Sequence, residues 1–266
     1  MQKINTLFSL YSRSHIYRSF SRDRDHRLYY FNALMLNKHG LFIILALLLC
    51  SAAPLPSGEL ITLWQLQNAQ QFKKFELAKL QEHLENRLPL YRKDFEKAAL
   101  EQELPWTFLA AVAYQESKWD NRAVSHTGVK GLMQLTMQTA EHVGVDDRED
   151  PTQSIFGGAH YLRYLFAKTP PHLSDKQRWI QALCAYNLGW GHLQDAKRLA
   201  KHLKKDPYDW NQFKQILPLL QNRKYFSYLR YGPARGHETV RFVERVFSYD
   251  ELLSSLYLTT NLSRVR

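Results

Sequence analysis

Along most of the chain, apolar residues recur at intervals of three and four, the spacing of one helix face. Tyr91, Phe95, Ala98 and Ala99 form such a stripe behind Pro89, a residue suited to a helix's first turn. Pro105 opens the next helix, predicted through about Ser117. Thr136 is placed to cap residues 137–143, which Gly144 ends. Ile155, Ala159, Leu162 and Phe166 repeat at helical spacing, so Ser154 is expected to cap a helix over 155–168. Gly157 and Gly158 fall inside it at about 1 kcal/mol each, a cost that close helix packing would explain. Further helices are predicted over 176–188, started by Asp175 and closed by Gly189, then over 192–203, and over 210–217 behind Asp209. Gly232 and Pro233 separate two last ones at 224–230 and 237–253. Residues 59–86, rich in Gln, Lys and Glu, are expected to be helical with no evident partner. No stretch reads as a strand and no repeat is evident. The predicted class is all-α.

One apolar run has no period. Leu41–Leu49 is unbroken, follows Lys38 and His39, and precedes Cys50-Ser51-Ala52-Ala53. A positive flank, a short apolar stretch and small residues have the form of a secretory signal. The run is short for a bilayer span, which takes about 20 apolar residues. Export to the periplasm is therefore expected, with outer-membrane attachment and membrane association through this segment left open. Leu49 before Cys50 suits a lipidation signal poorly, and Met35 is an alternative start. The organisation expected is an extension and signal over 1–53, a linker and amphipathic helix over 54–86, a catalytic domain over 87–253 and a tail over 254–266.

That leader changes the meaning of the charge. The 266 residues carry a net +11, which by itself would suggest a polyanion as partner. Residues 1–53 hold seven basic and two acidic residues, net +5, leaving +6 for the other 213. After residue 53 the basic side chains are scattered among acids, so no nucleic acid is expected. Two cysteines exclude a disulfide scaffold, and Cys184 reads as a small buried apolar residue. His126, His160, His192 and His237 lack ligand spacing, so neither metal nor cofactor is expected.

The chemistry starts from one awkward side chain. The stripe Leu109, Val112, Ala113 continues into Glu116 at the end of its helix. Desolvation and the negative helix terminus both disfavour the carboxylate and raise its pKa toward the range of a general acid. The ordinary alternative is a solvated Glu116, or one paired with Lys118 or Arg122. Downstream, Gly128 and Gly131 permit close backbone approach, Gln134 offers a donor and an acceptor, and Tyr186-Asn187 ends a helix.

The run Gln115-Glu116-Ser117-x-Trp119 is followed by Ser125-x-x-Gly128-x-x-Gly131-Leu132-Met133-Gln134-Leu135, then Ala185-Tyr186-Asn187-x-Gly189. Together these resemble the lytic transglycosylase domain of the soluble type, and Tyr231-Gly232-Pro233-Ala234-Arg235-Gly236-His237-Glu238 brings the likeness nearest to the F-type membrane-bound lytic murein transglycosylases. The likeness spans roughly 87–250. It implies a lysozyme-like all-α fold and cleavage of the MurNAc–GlcNAc bond of peptidoglycan glycan strands, a carbon–oxygen lyase reaction. By that likeness Glu116 is the sole catalytic acid and then base. Ser125, Gln134, Tyr186 and Asn187 match substrate-contacting or Glu-orienting positions, with Ser117, Met133 and Tyr231 as weaker substrate-binding candidates. F-type proteins also carry a solute-binding-like module; with only about 33 residues between signal and resemblance, that module is expected to be absent here.

A single acid agrees with the residue reading. Most hydrolytic glycosidases need two carboxylates across the bond. The nearest second acid, Asp120, is expected in a solvated turn. Two alternatives stay open: a hydrolytic muramidase using Asp120 or another acid, and a non-catalytic murein-binding protein.

Overall fold

The computed structural model describes residues 74–126 and 128–263; the predicted leader, linker, Cys50 and most of the 59–86 helix lie outside them. The described residues 74–258 fall within one compact unit. That unit is built from α1 (Lys74–Asn86), α2 (Leu88–Glu101), α3 (Trp106–Ser117), α4 (Met137–Val143), α5 (Pro151–Ala167), α6 (Asp175–Leu188), α7 (Trp190–His202), α8 (Trp210–Ile216) and all but the last residues of α9 (Gly236–Ser263). Two 3₁₀ turns, Leu217–Gln221 and Arg223–Tyr228, lie between α8 and α9. Among the described residues the only β pairing is two isolated bridges, Val124 with Lys130 and Lys130 with Leu135. The class is all-α, as the periodicity predicts.

α3 is the axis of the unit. Every residue from Thr107 to Tyr114 is buried, so this helix has no solvent face to orient it. α2 packs on α3 and α5, and α6 packs between α5 and α7. α9 reaches α3 at its far end, where Thr107 Oγ1 donates to Asp250 Oδ1 at 2.7 Å.

Several boundaries differ from expectation, each for a local reason. α5 starts four residues early: Asp150 is its cap, accepting from Gln153 N–H, with Pro151 in the first turn. Ser154 is instead buried inside the helix and accepts from Met133 N–H, 21 residues earlier. α6 begins at Asp175 because Ser174 and Gln177 form a capping box. The predicted 224–230 helix is a 3₁₀ turn over Arg223–Tyr228. α9 runs through residues assigned to a tail, because Leu252, Leu253 and Leu256 extend its buried stripe. The glycine pair is closely packed, though against residues between helices rather than a helix face: a Cβ on Gly158 would lie 2.6 Å from Met133 Cε, and one on Gly157 2.3 Å from Val145 Cγ2.

Candidate active site

Glu116 sits in the last turn of α3, half-buried, and its carboxyl makes no hydrogen bond or ion pair with any described residue. Burial pushes its pKa up to about 8, with the charge of Lys118 pulling modestly the other way. The predicted alternative of a salt bridge to Lys118 or Arg122 is therefore not what forms. Lys118 turns back to donate to the carbonyls of Tyr114 and Gln115, at 2.9 and 3.3 Å. Burial thus favours the protonated carboxyl, the form a general acid needs.

The turn that leaves Glu116 is strained and tightly held. Lys118 and Trp119 are consecutive non-glycine residues in the left-handed region, φ 58° and 56°. Such conformations cost on the order of 1 kcal/mol each and persist only where packing imposes them. Trp119 supplies that packing: its indole N–H donates to Ala110 O at 2.8 Å inside α3, and its ring lies 4.5 Å from Tyr114. Ser117 Oγ donates to Leu132 O at 2.8 Å, fastening the helix end to the loop over 120–135.

That loop is braced by bonds within itself. Gly131, at φ 78°, lies where a Cβ would come within 1.8 Å of Arg148 O, so only glycine fits. Gln134 Nε2 donates to both Ala123 O and Gly131 O at 2.9 Å. The amide is thus half spent: its donor end braces the loop, and only its carbonyl oxygen remains for a ligand. Ser125 closes a turn with Val129, Oγ accepting from Val129 N–H at 3.2 Å. Tyr186, on α6, donates its hydroxyl to Met133 O at 2.7 Å. Burial raises the phenol's pKa well above its ordinary value, and the nearby Glu116 carboxyl adds to the shift.

Hydrogen bonds thus tie Ser117 to Leu132, Tyr186 to Met133, and Gln134 to Ala123 and Gly131 within one loop, which also holds Ser125, and Glu116 precedes Ser117 at the helix end. Ser117 and Met133 are buried; Ser117 Oγ reaches Leu132 O, and Met133 O accepts from Tyr186. Asn187 follows Tyr186 and accepts from Thr239 of α9 at 2.6 Å. Tyr231 is exposed, its ring over Gly191 of α7, and no hydrogen bond among the described residues joins it to that chain.

Asp195 is a buried acid on which the sequence reading was silent. It is fully buried and accepts from Arg230 N–H at 2.9 Å and Tyr231 N–H at 2.7 Å, with Arg198 as ion-pair partner. It fixes the segment that presents Tyr231. The available signal was the one that exposed Glu116: Asp195 occupies an apolar face with Ala196 and Leu199. Asp120 lies in a turn, accepts from Arg122 N–H and stands 3.8 Å from Arg87. Cys184 is buried and its thiol is pushed up to about 12. A separate hollow lined by Gln102, Val145, Gln153 and Phe156 contains none of the site residues.

Comparison with known proteins agrees with the motif reading. Residues 93–208 match the family model described as the transglycosylase SLT domain. Over 180 residues the chain is 52% identical to membrane-bound lytic murein transglycosylase F of Maricaulis maris, covering 68% of this chain and 40% of that protein. It is 46% identical over 187 residues to membrane-bound lytic murein transglycosylase F 2 of Alkalilimnicola ehrlichii, covering 70% and 42%. The chain thus matches about 40% of the length of these relatives. Among solved structures, a complex of the 70-kDa soluble lytic transglycosylase with bulgecin A shares the fold, with TM-score 0.50, 24% identity and coverage of 91% of this chain and 36% of that one.

Proposed function

With residues 93–208 matching the transglycosylase SLT domain, we propose that this protein is a lytic murein transglycosylase that cleaves the β-1,4 bond between MurNAc and GlcNAc. The carrying observation is Glu116: one carboxylic acid, with no partner among the described residues, raised to about 8, at the end of a buried helix. It protonates the glycosidic oxygen as the C1–O bond breaks. The resulting carboxylate then takes the proton of the MurNAc C6 hydroxyl while O6 bonds to C1. The product is 1,6-anhydroMurNAc, no water is consumed, and Glu116 ends protonated as it began. The nucleophile belongs to the substrate, so proximity replaces a second carboxylate. The pairing of Asp120 with Arg87 in a turn supports a single-acid reading over a hydrolytic one.

The remaining residues divide by which atoms are still available. The Gln134 carbonyl accepts from a sugar hydroxyl or acetamido N–H. Tyr186 orients the Met133 segment beside Glu116, while Ser125, Asn187 and Tyr231 contact the glycan further along. The leader directs export to the periplasm, and the relatives' membrane-bound names support attachment there.

Digestion of purified murein with the wild type and Glu116→Gln, read by mass spectrometry, tests the reading. Anhydro-muropeptides are expected from the wild type, with a loss of at least about 10²–10⁴-fold in the variant. Reducing-end MurNAc without anhydro product, or cleavage unchanged by Glu116→Gln, would overturn it.

A further inference from the structure

We propose that Gly191 and Asp195 are positioning residues: one face of α7 supports Tyr231 so that its ring lies ready as a stacking platform for one sugar of the glycan. This rests on the reading of Tyr231 as a glycan contact, and adds the mode of contact and the two residues that prepare it.

The support begins at Gly191. A Cβ there would lie 2.7, 2.8 and 2.9 Å from Cδ1, Cγ and Cε1 of Tyr231. Distances so nearly equal to three consecutive ring atoms put that point over the face of the ring, not beyond its edge. One face of the phenol therefore rests on bare helix backbone, and any side chain at 191 would push the ring away. His192 meets the same ring edge-on, with centroids 6.3 Å apart and planes at 70°. Tyr231 is nonetheless 56% exposed, which leaves the opposite face to solvent.

Asp195 holds the backbone from which that ring projects. It stands four residues after Gly191, on the same side of α7. The side chain is fully buried, yet Oδ1 accepts from Arg230 N–H at 2.9 Å and Oδ2 from Tyr231 N–H at 2.7 Å. Two successive amides on one carboxylate fix the peptide planes on either side of Arg230. Arg198 pairs with the same carboxylate and offsets the cost of burying its charge. Beyond the ring, Gly232 turns the chain away at φ 84°. A tyrosine held only by its own chain would have to be ordered when a sugar arrives; here the ordering is complete beforehand, which favours binding.

The test is calorimetric binding of chitohexaose, a β-1,4 hexamer of GlcNAc, to the full chain and its variants. The wild type is expected to bind, and no binding would overturn the proposal. Tyr231→Ala should weaken binding about 3–10-fold, while Tyr231→Phe, which keeps the face and drops the hydroxyl, should stay within about twofold. Equal losses in the two would refute stacking. Gly191→Ala should lose as much as Tyr231→Ala without a lower Tm, because alanine suits a helix better than glycine. The double variant should bind no worse than Tyr231→Ala alone; additive losses, or unchanged binding in Gly191→Ala, would overturn the supporting role. Asp195→Asn should likewise add nothing to Tyr231→Ala. Should Asp195→Asn not fold, hydrogen exchange of the wild type still decides: the Arg230 and Tyr231 amides should be protected, and rapid exchange would remove Asp195 from the proposal. On murein, Gly191→Ala should raise KM and leave kcat within about twofold. Chitohexaose binding needs no turnover, so absence of cleavage in every form would refute the enzymatic reading and leave this result separately readable.

Discussion

The two ends of α3 each carry a crowded carboxyl, and they are built in opposite ways. At the start of the helix, Asp250 of α9 accepts from Thr107 Oγ1 at 2.7 Å, with Ser254 Oγ 3.4 Å away. Burial raises its pKa to about 6, while those two hydroxyls hold the shift down. At the other end, Glu116 has no hydroxyl or amide donor among the described residues and rises to about 8. Both carboxyls are desolvated, so burial alone does not mark a reactive acid. What separates them is satisfaction: a carboxyl with donors and a favourable helix terminus is a clamp, and one with neither is available to a ligand.

The strongest challenge to this contrast is Asp250→Ala. It removes the carboxylate that accepts from the buried Thr107 hydroxyl, leaving Ser254 Oγ at 3.0 Å as its side-chain partner, and should cost about 1.5–3 kcal/mol in denaturant unfolding. Cleavage per folded molecule should stay near the wild-type value; a large catalytic loss with stability intact would erase the distinction. The pH dependence of stability sharpens it further. Glu116 has a folded pKa above its unfolded value near 4.5, so the native state binds more protons between about 4.5 and 8. Its contribution is present at acid pH and is lost as pH rises through that window. Glu116→Gln should therefore gain stability relative to the wild type by about 1–2 kcal/mol between pH 5 and pH 8, allowing for the side chain's partial access to solvent. Thermal melts across that range check the sign, and a difference between the two proteins that does not change with pH would contradict the burial argument. The smallest effect is expected at Asp120. Asp120→Asn should change stability by no more than about 0.5 kcal/mol and leave the cleavage product unaltered. A switch in product, or loss of cleavage, would bring back the two-carboxylate reading.

The helical class, most helix starts and Glu116 itself are legible in the sequence because they depend on local spacing. Thr136 and Gly144 act where the pattern puts them, since a cap serves residues within its own turn. Ser154 misleads for the converse reason. Serine before an apolar stripe looks like a cap, yet its hydroxyl serves Met133, a partner that only folding brings near. Gln134 shows the same limit: the residue type advertises two hydrogen-bonding ends, while the positive φ at 48° and the bonds to Ala123 and Gly131 that consume one end are tertiary facts. Asp195 is hidden by its neighbours, because Lys197 and Arg198 give it the look of a solvated ion pair.

The bond between Asp195 and the amides of Arg230 and Tyr231 also bears on the order of synthesis. Its donors lie 35 and 36 residues further on, and the Thr239 partner of Asn187 lies 52 residues beyond it. A chain emerging from its N-terminus acquires α3, Glu116 and the glycine loop first. The segments that seat Tyr231 and anchor Asn187 arrive later. Until they do, Asp195 has the Arg198 guanidinium of its own helix but not the two backbone amides that complete its hydrogen bonding, and the half-made chain has its buried acid before it has the segment of Tyr231.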